Sequence, residues 1–286
     1  MSLLKLAEKL EQSAEVIRTP SGDGHMVWHQ WGNGPPLVLL HGGSGAWNHW
    51  LRNIETLSRH YRLIVADMPG LGSSDDPPFV FDPTDYPASV PKLAETINLG
   101  IDVILDREPF DLCGFSFGSI AGAYVAANAG LALKSFTLVG SSAFGWPWKG
   151  LKKPFLSMSR EMAEAERLEV QRANLTNAML FTDVSDDLAR IQLDNVNRAR
   201  VRSHGVTETD VIRAGLEKVR APLNGIWGRE DIFAQPNLGR IEDLLRTLDG
   251  DCRFEIIDGA GHWVMFDAPE IFNDRLLKVL EQRSRP

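Results

Sequence analysis

Short apolar runs recur along the chain, each closed by turn-forming residues and followed by a longer stretch of helical periodicity. Residues 37–40 read Leu-Val-Leu-Leu behind Pro35-Pro36, and residues 62–67 read Arg-Leu-Ile-Val-Ala-Asp. Two more runs cover 110–113 and 135–139. Between them the spacing predicts helices over about 48–59, 88–106 and 117–130. Runs this short, apolar at successive positions, read as strands buried on both faces, as in a parallel sheet of strand–helix–strand units. Ahead of them, VIRTPSGDGHMVWHQWG predicts a hairpin turning at Ser21-Gly22-Asp23-Gly24.

The alternation stops at residue 142. As far as residue 215 no strand is predicted, and SREMAEAERLEVQRANL and DDLARIQLDNVNRARVRS read as charge-rich helices. Strands resume at 223–227 and 253–257, and a last helix covers 269–282 with Pro269 in its first turn. The pattern predicts an α/β core interrupted by a helical insertion, with no internal repeats.

Composition narrows the partners. The 286 residues carry 30 Lys and Arg against 38 Asp and Glu, a net charge of −8. That balance argues against nucleic acid, whose phosphates require clustered cations. The two cysteines, Cys113 and Cys252, belong to no CxxC or Cys/His cluster, so neither a zinc site nor another cofactor is expected. The opening MSLLKLAEKLEQSAEV is amphipathic and lacks the apolar core of a signal peptide. No run approaches membrane-spanning length. The expectation is a cytoplasmic protein with a small molecule as its partner, self-association being left open.

The candidate chemistry starts at Gly114-Phe115-Ser116-Phe117-Gly118, a G-x-S-x-G pattern between an apolar run and a small-residue helix. In that context the glycines permit a tight strand-to-helix turn that projects the serine at the carboxyl end of the strand. A serine hydroxyl needs a base, and the base needs an acid to orient it. Two histidines follow Ser116, His204 in the helical insertion and His262 in a glycine-containing loop after the 253–257 strand. The position of His262 suits a base. The acid is expected on another strand-end loop, at Asp231 in Trp-Gly-Arg-Glu-Asp, with Glu230 and Asp258 as rivals. An oxyanion would be held by the Phe117 amide and a second amide from His41-Gly42-Gly43-Ser44-Gly45, assigned to Gly43. No complete phosphate-binding glycine motif occurs in that loop, and His41 reads as a structural turn residue.

The motifs LLHGGSG, VADMPGLGSSD, GFSFG, WGREDIF and GAGHW, in that order, resemble those of α/β-hydrolase-fold serine hydrolases over nearly the whole chain. The resemblance implies a mostly parallel central sheet flanked by helices, with core 1–141 and 216–286 and a helical cap, 142–215, inserted after the sixth strand. It implies a Ser116–His262–Asp231 triad, an oxyanion hole at Phe117 and Gly43, and no aspartate nucleophile of the dehalogenase or epoxide-hydrolase kind. GHWVMFDAPEIFN is similar to the C-terminal motif of meta-cleavage-product hydrolases, which cut a carbon–carbon bond in dienoates. That narrower likeness places Arg198, with Arg200 close behind, at the position of a substrate arginine, the other reading being that both sit on a solvated helix face. The chain departs from that family at Phe115, where asparagine is frequent, and in the loop GGSGA, which lacks an additional glycine and a proline. Phe115, Trp263 and Ser44 complete the substrate-binding candidates. The implied activity is hydrolysis of a small, partly apolar ester or carbon–carbon substrate through an acyl-enzyme. The alternatives are a cofactor-free perhydrolase or haloperoxidase and a non-enzymatic receptor on the same fold.

Overall fold

The computed structural model describes residues 1–283 except Lys149, Leu151, Lys152, Arg160 and His204. The amphipathic opening segment is helix α1 (Leu3–Ser13). A hairpin follows, β1 (Glu15–Ser21) and β2 (Gly24–Trp31), paired antiparallel across the predicted turn. The core then alternates: β3 (Pro36–Leu40), α2 (Ile54–Leu57), β4 (Arg62–Asp67), α3 (Tyr86–Leu105), β5 (Phe110–Phe115), α4 (Phe117–Ala129) and β6 (Leu133–Val139). Three helices come next, α5 (Glu164–Asn174), α6 (Asp186–Arg198) and α7 (Val211–Leu216), with no strand among the described residues between β6 and β7. The chain returns to the sheet as β7 (Leu223–Gly228), α8 (Leu238–Leu248) and β8 (Arg253–Ile257), and ends with α9 (Val264–Asp267) and α10 (Pro269–Arg283).

The eight strands form one sheet in the order β1-β2-β4-β3-β5-β6-β7-β8. β2 pairs antiparallel with β4, and every pair from β4 onward is parallel. All residues of β3, β5 and β7 are buried, as expected for strands covered on both faces. Successive side chains serve opposite faces. Val38 and Leu40 pack with residues of α3, α4 and α8, whereas Leu37 and Leu39 pack with α2, α9 and α10. Helix α4 lies close to the sheet because its residues are small: a Cβ on Gly122 would stand 2.9 Å from the Phe136 ring.

The predicted 48–59 helix is instead a 3-10 turn (Trp47–Trp50) followed by the single turn α2. Asn53 divides them, its side-chain amide donating to the Met265 carbonyl at 3.0 Å and to Asn273 Oδ1 at 2.9 Å. These tertiary bonds override local helical preference. The predicted 159–175 helix begins later, at Glu164, and its end widens into a π-turn, Leu175–Met179. Helices α5 and α6 share a small apolar seam of Leu168, Ala189 and Leu193. Burying each leucine contributes roughly 1.5–3 kcal/mol. Helix α6 begins on Ser185, whose hydroxyl accepts the Leu188 amide, with Asp186 and Asp187 in its first turn favouring the helix dipole. Helix α7 packs instead beside α4, where the Tyr124 hydroxyl donates to the Val211 carbonyl at 2.8 Å.

Candidate active site

β5 ends at Phe115 and α4 begins at Phe117, so Ser116 alone makes the turn. Its backbone sits at φ 52°, ψ −114°, a conformation that costs a non-glycine residue about 1–3 kcal/mol. The fold holds it there: the Ser116 amide donates to the Val139 carbonyl at 2.9 Å, and its carbonyl accepts from the Ser119 amide at 2.9 Å. The flanking glycines are required by contact. A Cβ on Gly114 would stand 2.4 Å from the Gly118 carbonyl oxygen, and one on Gly118 would stand 2.5 Å from the carbonyl oxygens of Leu40 and His41.

The loops after β7 and β8 bring the other two groups to this turn. His262 Nε2 lies 3.0 Å from Ser116 Oγ, and His262 Nδ1 lies 3.0 Å from each oxygen of Asp231. Asp231 is fully buried, and its Oδ1 also accepts the Phe233 amide at 2.9 Å. A carboxylate only accepts, so it fixes the imidazole proton on Nδ1 and leaves Nε2 to accept from the serine. The rivals are turned elsewhere. Glu230 is exposed, and Asp258 pairs with Arg229 at the surface. His204 lies outside the described residues.

Two loops clamp His262 from the sides. The Asp267 carboxylate accepts the amides of Gly261 (2.8 Å), Phe181 (2.9 Å) and Thr182 (3.0 Å), tying the histidine loop to the segment after the π-turn. The Trp263 amide donates to the Met179 carbonyl at 2.8 Å. Phe233 and Phe115 flank the imidazole at ring-centroid distances of 4.5 and 5.2 Å.

The loop after β3 closes against the serine. A Cβ on Gly42 would meet the Phe115 ring at 2.8 Å and Ser116 Cβ at 3.4 Å, so only glycine lets the backbone come this near. Next to it, Gly43 lines a cavity of about 900 Å³ that opens over Ser116 and His262. Gln171, Asn174 and Met179 reach it from α5 and the π-turn, and Gln192 from α6. Phe117 puts its ring in the core against Phe81, leaving its backbone at the turn.

Among the other candidates, Phe115 and Trp263 are both core and wall: each is 3% exposed, their rings stack at 6.1 Å, and both line the cavity. Ser44 lines it too, at φ 47°, and its carbonyl accepts from Gln192 Nε2 at 3.0 Å. Arg198 is absent from the cavity wall, its guanidinium pairing with Asp194 at 2.8 Å one helical turn back and its side chain 52% exposed. Arg198 is the last residue of α6 and is exposed there, whereas Leu188, Ile191, Gln192 and Asn195 earlier in the helix are buried. Arg200 bonds to Asp76 and the Ser74 carbonyl. Among the described residues, the arginines that line the cavity are Arg202 and Arg167, the latter bonded to Asn197.

The sequence reading missed a second histidine, His49, which is buried beside the loop after β3. Its ring meets Trp263 edge-on at 4.5 Å, and a Cβ on Gly45 would stand 2.2 Å from it. The available signal was a histidine inside the aromatic segment AWNHW, and two amides, Gln192 and Asn195, on the apolar face of α6. His41 is also buried, its Nε2 accepting the Met68 amide at 3.0 Å while Nδ1 faces the Gly42 carbonyl at 2.7 Å.

Burial holds both of these imidazoles neutral. It pushes His49 down to about 3, with repulsion from His41 adding to the effect, and pushes His41 below the usual histidine range despite nearby Asp67. Unfolded, each would take up a proton near pH 6.5, whereas folded they do not. Stability should therefore fall as pH drops below 6.5, by up to about 1.4 kcal/mol per pH unit for each histidine, His49 contributing down to about pH 3. Denaturant midpoints at pH 7, 6 and 5 check this. Stability that is flat or rising toward pH 5 would contradict it.

The match to other proteins agrees with this geometry. The pattern of the alpha/beta hydrolase family fits residues 37–275, and the chain belongs to that family. It is 26% identical to a pimeloyl-[acyl-carrier protein] methyl ester esterase of Nitrosomonas europaea, over 84% of this chain and 94% of that protein. It is 27% identical to a 2-hydroxy-6-oxononadienedioate/2-hydroxy-6-oxononatrienedioate hydrolase of Paraburkholderia phymatum, over 86% of this chain and 87% of that one. Among solved structures, a meta-cleavage product hydrolase from Pseudomonas fluorescens IP01 superposes with a TM-score of 0.71 at 20% identity, covering 93% of this chain and 97% of that chain. These relatives are esterases and carbon–carbon hydrolases, and the present chain is an enzyme of the hydrolase class. Among the described residues no group of His, Cys, Asp and Glu is arranged to hold a metal, and no helix is long and apolar enough to cross a membrane.

Proposed function

We propose that the protein is a serine hydrolase that forms an acyl-enzyme on Ser116 and acts on a small, partly apolar ester. The observation that carries this reading is the continuous hydrogen-bonded row from Ser116 Oγ through His262 to Asp231, with 3.0 Å at each step. Ser116 Oγ attacks the substrate carbonyl as its proton passes to His262 Nε2. Asp231 stabilises the resulting imidazolium, and the amides of Phe117 and Gly43 receive the oxyanion. The C–O bond then breaks, His262 returning the proton to the leaving alcohol. Water, deprotonated by the same histidine, resolves the acyl-enzyme to the carboxylic acid and free serine. In this reading residues 142–215 form a cap, and the cavity of about 900 Å³ beneath α5 and α6 accepts a drug-sized molecule.

A second reading, hydrolysis of a carbon–carbon bond in a carboxylate-bearing dienoate, is favoured by Arg167 and Arg202 on the cavity wall. A guanidinium can hold a carboxylate by two parallel hydrogen bonds. The named activity of the Paraburkholderia relative points the same way. Parallel assays of p-nitrophenyl esters of graded chain length and of a ring-cleavage dienoate separate the two. Under the ester reading only the esters turn over, and turnover of neither class would refute both. Arg198→Ala serves as control: pointing to solvent, it should leave kcat/KM for either substrate within about twofold, since an exposed ion pair is worth little. A tenfold loss on the dienoate alone would return Arg198 to the site.

A further inference from the structure

The loop that carries Gly43 is held from above by helix α6 through one buried chain of hydrogen bonds. The Gly42 amide donates to His49 Nδ1 at 3.3 Å. With Nδ1 accepting, the neutral imidazole carries its proton on Nε2 and donates it to Gln192 Oε1 at 3.0 Å. Gln192 Nε2 in turn donates to the Ser44 carbonyl at 3.0 Å. The two residues flanking Gly43 are thus fixed by a single His49–Gln192 pair, the first through its amide and the second through its carbonyl. Asn195 completes the arrangement, its Nδ2 donating to Gln192 Oε1 (3.1 Å) and to Asn48 Oδ1 (2.7 Å), while Asn48 Nδ2 donates back to Asn195 (3.1 Å).

Each donor in this chain meets an acceptor in only one arrangement of the ring and amides, so the network has a direction. His49 is 3% exposed, Gln192 7% and Asn195 2%, and buried polar groups so paired specify geometry more than they add stability. Ser44 needs the support, because its φ of 47° is left-handed for a residue with a side chain.

We propose that Gln192, acting through His49, is a positioning residue that sets the Gly43 amide for the oxyanion, so that α6 docking and assembly of the oxyanion site are one event. The inference rests on the serine-hydrolase reading, with Gly43 as an oxyanion donor. An oxyanion donor acts on charge that develops only in the transition state, and misplacing it lowers kcat more than it raises KM.

The test is Gln192→Leu, which keeps the volume and removes the bonds to His49, Ser44 and Asn195, assayed on a neutral p-nitrophenyl ester beside inhibition by phenylboronic acid. The boronate forms a tetrahedral adduct on serine whose oxygen occupies the oxyanion position. The expected result is a fall in kcat on the order of 10–100-fold with KM within about threefold, and a parallel loss of boronate affinity. His49→Phe should give a similar loss, and the double variant should be no worse than either single one, because the pair acts as a unit. Gln192→Asn keeps the amide on a shorter stem and serves as a folding control, its circular dichroism and melting expected to match wild type. An unchanged kcat and unchanged boronate affinity in folded Gln192→Leu, or a rise in KM alone, would overturn the proposal. Those outcomes are distinct from failure of the underlying reading, in which Ser116→Ala itself would keep its activity.

Discussion

Ser116→Ala is expected to abolish measurable ester turnover, lowering kcat on the order of 10⁴–10⁶-fold while the fold persists. The variant deletes the attacking oxygen and leaves His262 with no proton to take. The loss exceeds any single-contact energy because the row acts as a unit, the residual rate being what oriented amides alone can do for attack by water. Structure is spared for a specific reason. The left-handed backbone of residue 116 is held by main-chain bonds to Val139 and Ser119, which alanine retains. Only the 3.0 Å bond to His262 is given up, worth about 0.5–1.5 kcal/mol. Steady-state kinetics with a p-nitrophenyl ester, together with a thermal melt, check both halves. Activity within tenfold of wild type in a folded variant would remove Ser116 from the chemistry.

The second large effect falls on the other two members. His262→Ala should cost about as much as the serine change. Asp231→Asn should cost about 10⁴-fold in kcat, for a reason of hydrogen-bond polarity rather than charge alone. An asparagine turned so that its NH₂ faces the imidazole makes Nδ1 the acceptor and moves the ring proton to Nε2, where it blocks acceptance from Ser116. Glu230→Gln and Asp258→Asn should stay within about twofold of wild type, because Glu230 faces solvent and Asp258 faces Arg229. If Glu230→Gln were the crippling change and Asp231→Asn mild, the acid would have to be reassigned.

The strand–helix alternation was legible because burial on both faces leaves continuous apolar runs, and these mark the parallel strands of the sheet closely. The turn at Ser116 was legible because close backbone approach admits only glycine at 114 and 118. Chain order and strand-end position brought out Asp231 and His262. What escaped the sequence depends on contacts between distant segments. Asn53 breaks a helical pattern only because Met265 and Asn273 stand opposite it. Arg198 was placed by likeness, yet at the end of α6 its guanidinium turns back to Asp194, a contact the likeness does not carry. The His49–Gln192 pair spans 143 residues, and neither member reads as special without the other.

The central claim is that Ser116 is a nucleophile activated by its neighbours, and covalent labelling tests it most directly. A fluorophosphonate probe reacts only where a serine attacks phosphorus with a base to take its proton and donors to hold the developing charge. Treated protein, digested and read by mass spectrometry, should carry one adduct, on the peptide containing Ser116, and His262→Ala should suppress it. Wild-type protein that stays unlabelled, or that carries the adduct on another serine, would contradict the account.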